Sequence, residues 1–168
     1  MDEGATARPS WLRRRLRDAT AGALAGAAAT APMTLLMGRL HRRLPPQEQY
    51  PLPPREITME VAQRAGVVDD LDEAQRAWTT LAAHFGYGAA MGALYALAPR
   101  AVARPRIGRG VTYALGVWGG SYLGWLPGTG IYPPATEQPP RRNGLMIAAH
   151  VVWGAAFALS LRALQRRR

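Results

Sequence analysis

The chain has 168 residues, with 21 arginines, no lysine, 11 acids, three histidines and no cysteine, for a formal net charge of +10. That length predicts one domain, and the missing cysteines exclude a disulfide scaffold, a thiolate zinc site and a thiol nucleophile. A pI near 11.3 first points to nucleic acid, but the placement of the charge points elsewhere.

Arg, Asp and Glu are absent from four long stretches: 20 residues after Asp18, 23 after Arg76, 27 after Arg109 and 19 after Arg142. A membrane-crossing helix needs about 20 mostly apolar residues, so each stretch is a predicted span. The expected spans cover about 19–38, 77–98, 110–126 and 144–162, within a membrane domain over 19–164. They are Ala- and Gly-rich, and mean hydropathy is −0.13. A soluble Ala-rich bundle would share that value, but its helices would carry a charged face, and these carry none. The predicted fold is all-α, an integral membrane four-helix bundle.

Residues 1–18 form a basic segment in which Pro9-Ser10-Trp11-Leu12-Arg13 starts a short amphipathic helix suited to a membrane surface. The first span could be misread as a secretory signal, but its uncharged length exceeds the usual signal core, so it is expected to be retained. Pro32 is expected to kink it. Gly22 and Gly26 are spaced for close helix packing in lipid, as are Gly88 and Gly92, and Gly116, Gly120 and Gly124.

The outer loop, residues 39–76, is proline-rich and holds a predicted short helix near 55–65 that stops at Gly66 and sets Ile57 and Val61 on one face. Asp69, Asp70 and Asp72 follow. They read as a helix cap rather than a metal site, because no EF-hand pattern of glycine and glutamate accompanies them. Trp78, Tyr122 and Trp125 are expected at the membrane boundary as an aromatic belt.

The arginines orient the bundle. Five precede the first span, four (Arg100, Arg104, Arg106, Arg109) join spans two and three without an acid, and four (Arg162, Arg166, Arg167, Arg168) end the chain. The other two loops mix eight arginines with eight acids. By the positive-inside rule both termini, including the basic tail 165–168, are cytoplasmic. The basic clusters then meet anionic headgroups, and no basic face with nucleic-acid readers is found.

An internal repeat carries the strongest candidate site. Ala82-Ala83-His84-Phe85-Gly86-Tyr87-Gly88-Ala89-Ala90 and Ala148-Ala149-His150-Val151-Val152-Trp153-Gly154-Ala155-Ala156 both fit A-A-H-x-x-[YW]-G-A-A. Tyr50-Pro51 and Tyr132-Pro133 echo one another in the preceding loops. The expected architecture is two parallel helix–Pro-loop–helix repeats. Both histidines then lie at one depth, about 10 Å inside the outer boundary. Tyr87 and Trp153 follow three residues later on the same helix faces. An intramembrane histidine is a functional candidate by default, and the opposing reading is a single interhelical hydrogen bond that fixes packing. His41, beside Arg42 and Arg43, reads as interfacial.

The glycine-spaced first span, Pro-Pro-Arg-Glu-Ile-Thr, His-Phe-Gly-Tyr-Gly, Pro-Pro-Ala-Thr and His-Val-Val-Trp-Gly resemble the YagU-like family over roughly residues 19–162. The resemblance implies a small, multi-spanning bacterial inner-membrane protein of undefined biochemistry, and it supplies no catalytic residues.

Three functions compete. The His84/His150 pair could handle protons or a small solute, with a homo-oligomer required for a pore. The two imidazoles could ligate haem or another tetrapyrrole, although no cofactor is the favoured expectation. The glycine faces could dock the chain as a scaffold subunit in a larger membrane complex. An enzyme is not expected, because no G-x-S-x-G, Walker loop or H-E-x-x-H motif occurs. No metal is expected, and the bilayer is the expected partner.

Overall fold

The computed structural model describes residues 10–98 and 106–166, whose regular structure is helical, with no strand among them. Arg8, Arg100, Arg104, Arg167 and Arg168, used above for orientation, lie outside the described residues. The helices are α1 (Ser10–His41), α2 (Pro53–Arg64), α3 (Glu73–Leu97), α4 (Ile107–Gly120), α5 (Leu126–Gly128) and α6 (Pro140–Arg166). A π-helical turn, Ser121–Trp125, joins α4 to α5.

The expected surface helix at Ser10 is not a separate element, for α1 runs unbroken from Ser10 through Pro32 to His41. Asp72 caps α3 by accepting from the Gln75 backbone N–H at 2.8 Å, while the Gln75 side chain accepts from the Asp72 N–H. This reciprocal pair satisfies two of the donors a helix start leaves open. Gly66, at φ +71°, ends α2 in a conformation that glycine adopts without steric cost.

The long helices pack in the order α3–α1–α6–α4. Glycine decides both outer contacts. A Cβ added to Gly22 would lie 2.6 Å from Ala96 Cβ and overlap the Gly92 carbonyl. One on Gly26 would overlap the Gly88 carbonyl in the same way. The backbones of α1 and α3 therefore touch along a stripe that only glycine permits. Gly110 and Gly154 make the equivalent crossing of α4 on α6, where a Cβ on Gly154 would meet the Gly110 carbonyl carbon at 2.7 Å.

The glycine expectation thus divides. Gly22, Gly26, Gly88 and Gly92 pack closely, whereas Gly116, Gly120 and Gly124 do not: nothing lies within 4 Å of a Cβ built on any of them. Their stripe faces outward, and the contact of this helix falls on Gly110 instead.

Between α3 and α4 there is no comparable backbone contact. Side-chain hydrogen bonds reach across from α3 to α4 and the π turn. The Tyr113 hydroxyl donates to the Met91 carbonyl at 2.7 Å, and the Tyr87 hydroxyl lies 2.8 Å from Ser121 Oγ. The gap they span is the cavity described below.

The exterior is strongly apolar. Leu24, Leu35, Leu94 and Leu159 are each more than half exposed, with Trp11 and Trp78 beyond them. Two helices, α1 and α6, are long and apolar enough to cross a membrane. α3 is 25 residues long, and α4 is 14 residues long before the π turn extends it.

Candidate functional site

His84 comes from α3 and His150 from α6, and both line one cavity of about 240 Å³. Its walls take residues from every long helix: Thr30 and Met33 from α1, Met91 from α3, Val117 from α4, Met146 and Trp153 from α6. Apolar side chains dominate, and the methionines give the wall an adaptable surface. An apolar cavity of roughly 150 Å³ accepts benzene, so this one has room for a somewhat larger body.

The repeat explains why the two histidines meet. Gly88 and Gly154 follow their histidines by four residues, and each is the point at which its helix crosses its partner, Gly26 in one copy and Gly110 in the other. Each histidine thus stands about one turn before a glycine crossing, and both line the same cavity. The aromatic residues three positions on then reach into the opposite copy. Trp153 donates its indole N–H towards Gly26 O and Thr30 Oγ1 on α1, both at 3.2 Å, while Tyr87 meets Ser121 on the π turn.

The imidazoles differ in their partners. His150 is buried, and its Nδ1 lies 2.8 Å from the Met146 carbonyl one turn earlier. A carbonyl only accepts, so Nδ1 carries the proton, and Nε2 of the neutral ring is left as an acceptor. The Tyr122 ring stands edge-on to it at 6.2 Å. His84 Nε2 is buried without a hydrogen-bond partner. Buried polar atoms are normally paired, so a residue of the cavity wall carries a ring nitrogen that no described group answers.

The π turn also overturns part of the aromatic-belt expectation. Trp78 and Trp125 are exposed, but Tyr122 is buried, in ring contact with Trp118, Tyr132 and His150. One wide turn rotates Tyr122 inward, as such turns often do beside functional sites.

Trp153 in the cavity wall belongs to an aromatic block on the side away from α2. Tyr95 stands edge-on to Phe157 at 5.1 Å and to Tyr113 at 5.0 Å, and Trp153 stacks on Phe157 at 5.1 Å. The other end is covered by α2, whose Pro54, Ile57, Thr58 and Val61 face the cavity. Arg55 ties α2 to Glu73 at 2.8 Å, and Arg64 donates to the carbonyls of Thr129 and Gly130 at 2.8 and 2.6 Å. The short helix read from the loop is thus the cover of the site.

Arg142 is a residue that sequence reasoning passed over. It is 3% exposed at the start of α6, and its guanidinium donates to the carbonyls of Glu48, Tyr50 and Pro51 at 2.9, 3.0 and 2.7 Å. It also lies 3.5 Å from the centre of the Tyr50 ring. Tyr132 shares a small crevice with it, so both echoed Tyr-Pro pairs converge on this cation. That echo was the signal. Burial, and then the Glu56 carboxylate, raise the Tyr132 phenol well above its ordinary range and keep it protonated. His41 is half-buried and donates from Nε2 to the Tyr50 carbonyl at 3.0 Å.

No group of three or more metal-ligating side chains occurs among the described residues. A family model described as a protein of unknown function, DUF1440, matches residues 40–159, and the chain belongs to that family. No curated protein and no solved structure matches it.

Proposed function

We propose that this DUF1440 member is a four-span integral membrane protein that binds a small, largely apolar solute between His84 and His150. The bilayer is its partner, and the resemblance to YagU-like proteins supports a bacterial inner membrane with both termini cytoplasmic. The apolar exterior supports the membrane reading, since large side chains such as Leu24, Leu35, Leu94 and Leu159 stand more than half exposed on the long helices. The observation that carries the solute reading is the orphaned His84 Nε2 in the wall of an apolar cavity beside His150.

The weak packing of α3 against α4 favours entry from the bilayer, because few contacts hold the two helices together. The aromatic block favours binding over a continuous pore, so solute handling is a stronger reading than proton conduction. Haem is disfavoured by size, for about 240 Å³ lies below the range of roughly 300–1,000 Å³ typical of ligand pockets.

Bromobenzene titrated into nanodisc-embedded protein tests the reading, because Trp125 and Trp153 line the cavity and a bromine quenches indole fluorescence on contact. Saturable quenching that becomes linear in the cavity-filling variant Val117→Phe is expected. Linear quenching of the unmodified protein would mean that no site exists.

A further inference from the structure

The hydrogen-bonding state of the cavity restricts its ligand further, on the reading that the cavity is a solute site. We infer that the ligand is a lipophilic molecule bearing a hydroxyl group, of the phenol or quinol class, rather than a ketone, ether or plain hydrocarbon.

The inference starts from His150. Its Nδ1–H is committed to the Met146 carbonyl at 2.8 Å, which leaves a lone pair on Nε2 of the neutral ring. A ligand carbonyl or ether brings a second acceptor to that lone pair and gains nothing from His150. A hydroxyl brings a donor. His84 Nε2 adds a second unpaired polar atom to the same wall, and a hydroxyl, donor and acceptor at once, suits either tautomer of that ring.

The remainder of the wall describes the body that carries the hydroxyl. Trp125, Tyr122 and Trp153 offer ring faces and edges, Met33 and Met146 offer polarisable sulfur, and no acid or arginine among the described residues lines the cavity. An aromatic body gains from such contacts beyond its buried area. A charged ligand finds no counter-ion. The volume of about 240 Å³ suits one or two fused rings.

The test compares 2-naphthol with 2-methoxynaphthalene, bodies of nearly one shape that differ in the hydroxyl proton. Binding to the unmodified full-length protein in nanodiscs is followed by tryptophan fluorescence, with each affinity referred to the concentration of compound in the membrane. We expect 2-naphthol to bind roughly tenfold more tightly, the scale set by leaving one buried acceptor unpaired. We expect His150→Phe to erase the preference while still binding both compounds. Equal affinities in the unmodified protein would overturn the hydroxyl assignment and leave a plain apolar site. A preference that survives His150→Phe would overturn the role of His150. Failure of both compounds to saturate would overturn the solute site itself.

Discussion

Trp153 on α6 donates its indole N–H to the carbonyl oxygen of Gly26 on α1, 3.2 Å away, at the point where Gly26 also touches Gly88 of α3. Three helices therefore meet around one glycine. Thr30 completes the node by donating to the same carbonyl at 3.0 Å while its oxygen lies 3.2 Å from the indole nitrogen. The node lies directly beside the cavity, which Thr30, Gly88 and Trp153 all line. Packing and site are thus one construction.

Replacing Trp153 by Phe keeps a ring on Phe157 but removes the donor. The expected loss is about 1 kcal/mol, the net value of one hydrogen bond. A double-mutant cycle with Thr30→Val should show coupling between the two, because they share the interaction. Additive effects in thermal unfolding would show that the pair is not coupled.

The glycines should separate into two classes. Gly26→Ala forces a methyl group into the Gly88 carbonyl and should cost about 1–3 kcal/mol by overpacking. Gly116→Ala meets open space and should be neutral or stabilising by about 0.5–1 kcal/mol, since alanine favours helix. Unfolding midpoints in detergent check both. Similar losses at the two positions would contradict the packing described.

The two classes also show what was legible in the sequence. Spacing of four residues found Gly22 and Gly26 and their partners Gly88 and Gly92, because a contact of two glycine pairs leaves a mark on both helices. The same spacing misled at Gly116, Gly120 and Gly124, because periodicity defines a stripe without saying which way it faces. Gly110 has no glycine four residues before or after it, where Arg106 and Ala114 stand, and nothing local reveals that Gly154 meets it. The repeat made His84 and His150 visible as a pair. Their shared cavity was not visible, for it depends on α3 and α4 failing to pack. Arg141 and Arg142 are adjacent and identical, yet one is exposed and the other buried, a difference set by loop carbonyls about 90 residues away.

Arg142→Met should destabilise the protein by about 3 kcal/mol, because the carbonyls of Glu48, Tyr50 and Pro51 lose their donor inside the structure. Arg142→Lys should recover only part of this, since an ammonium cannot reproduce the planar fork that reaches them. Faster proteolysis of the segment around residues 44–52 would accompany the loss. Full recovery by lysine would mean that charge alone matters there.

Arg64→Ala should loosen the cover without unfolding the bundle, because Arg64 holds α2 to Thr129 and Gly130 through two exposed hydrogen bonds. Stopped-flow quenching by bromobenzene should show faster association and faster release, with little change in affinity. Unchanged rates would show that α2 does not control access.

On the proposed function, His84 is held for a ligand and not for the fold. Thermal unfolding of His84→Leu in detergent addresses it directly. A buried polar nitrogen without a partner costs stability, so its replacement by an apolar side chain should leave the midpoint unchanged or raise it by a few degrees. A fall of several degrees would mean that the imidazole makes a structural bond and that the site reading is wrong.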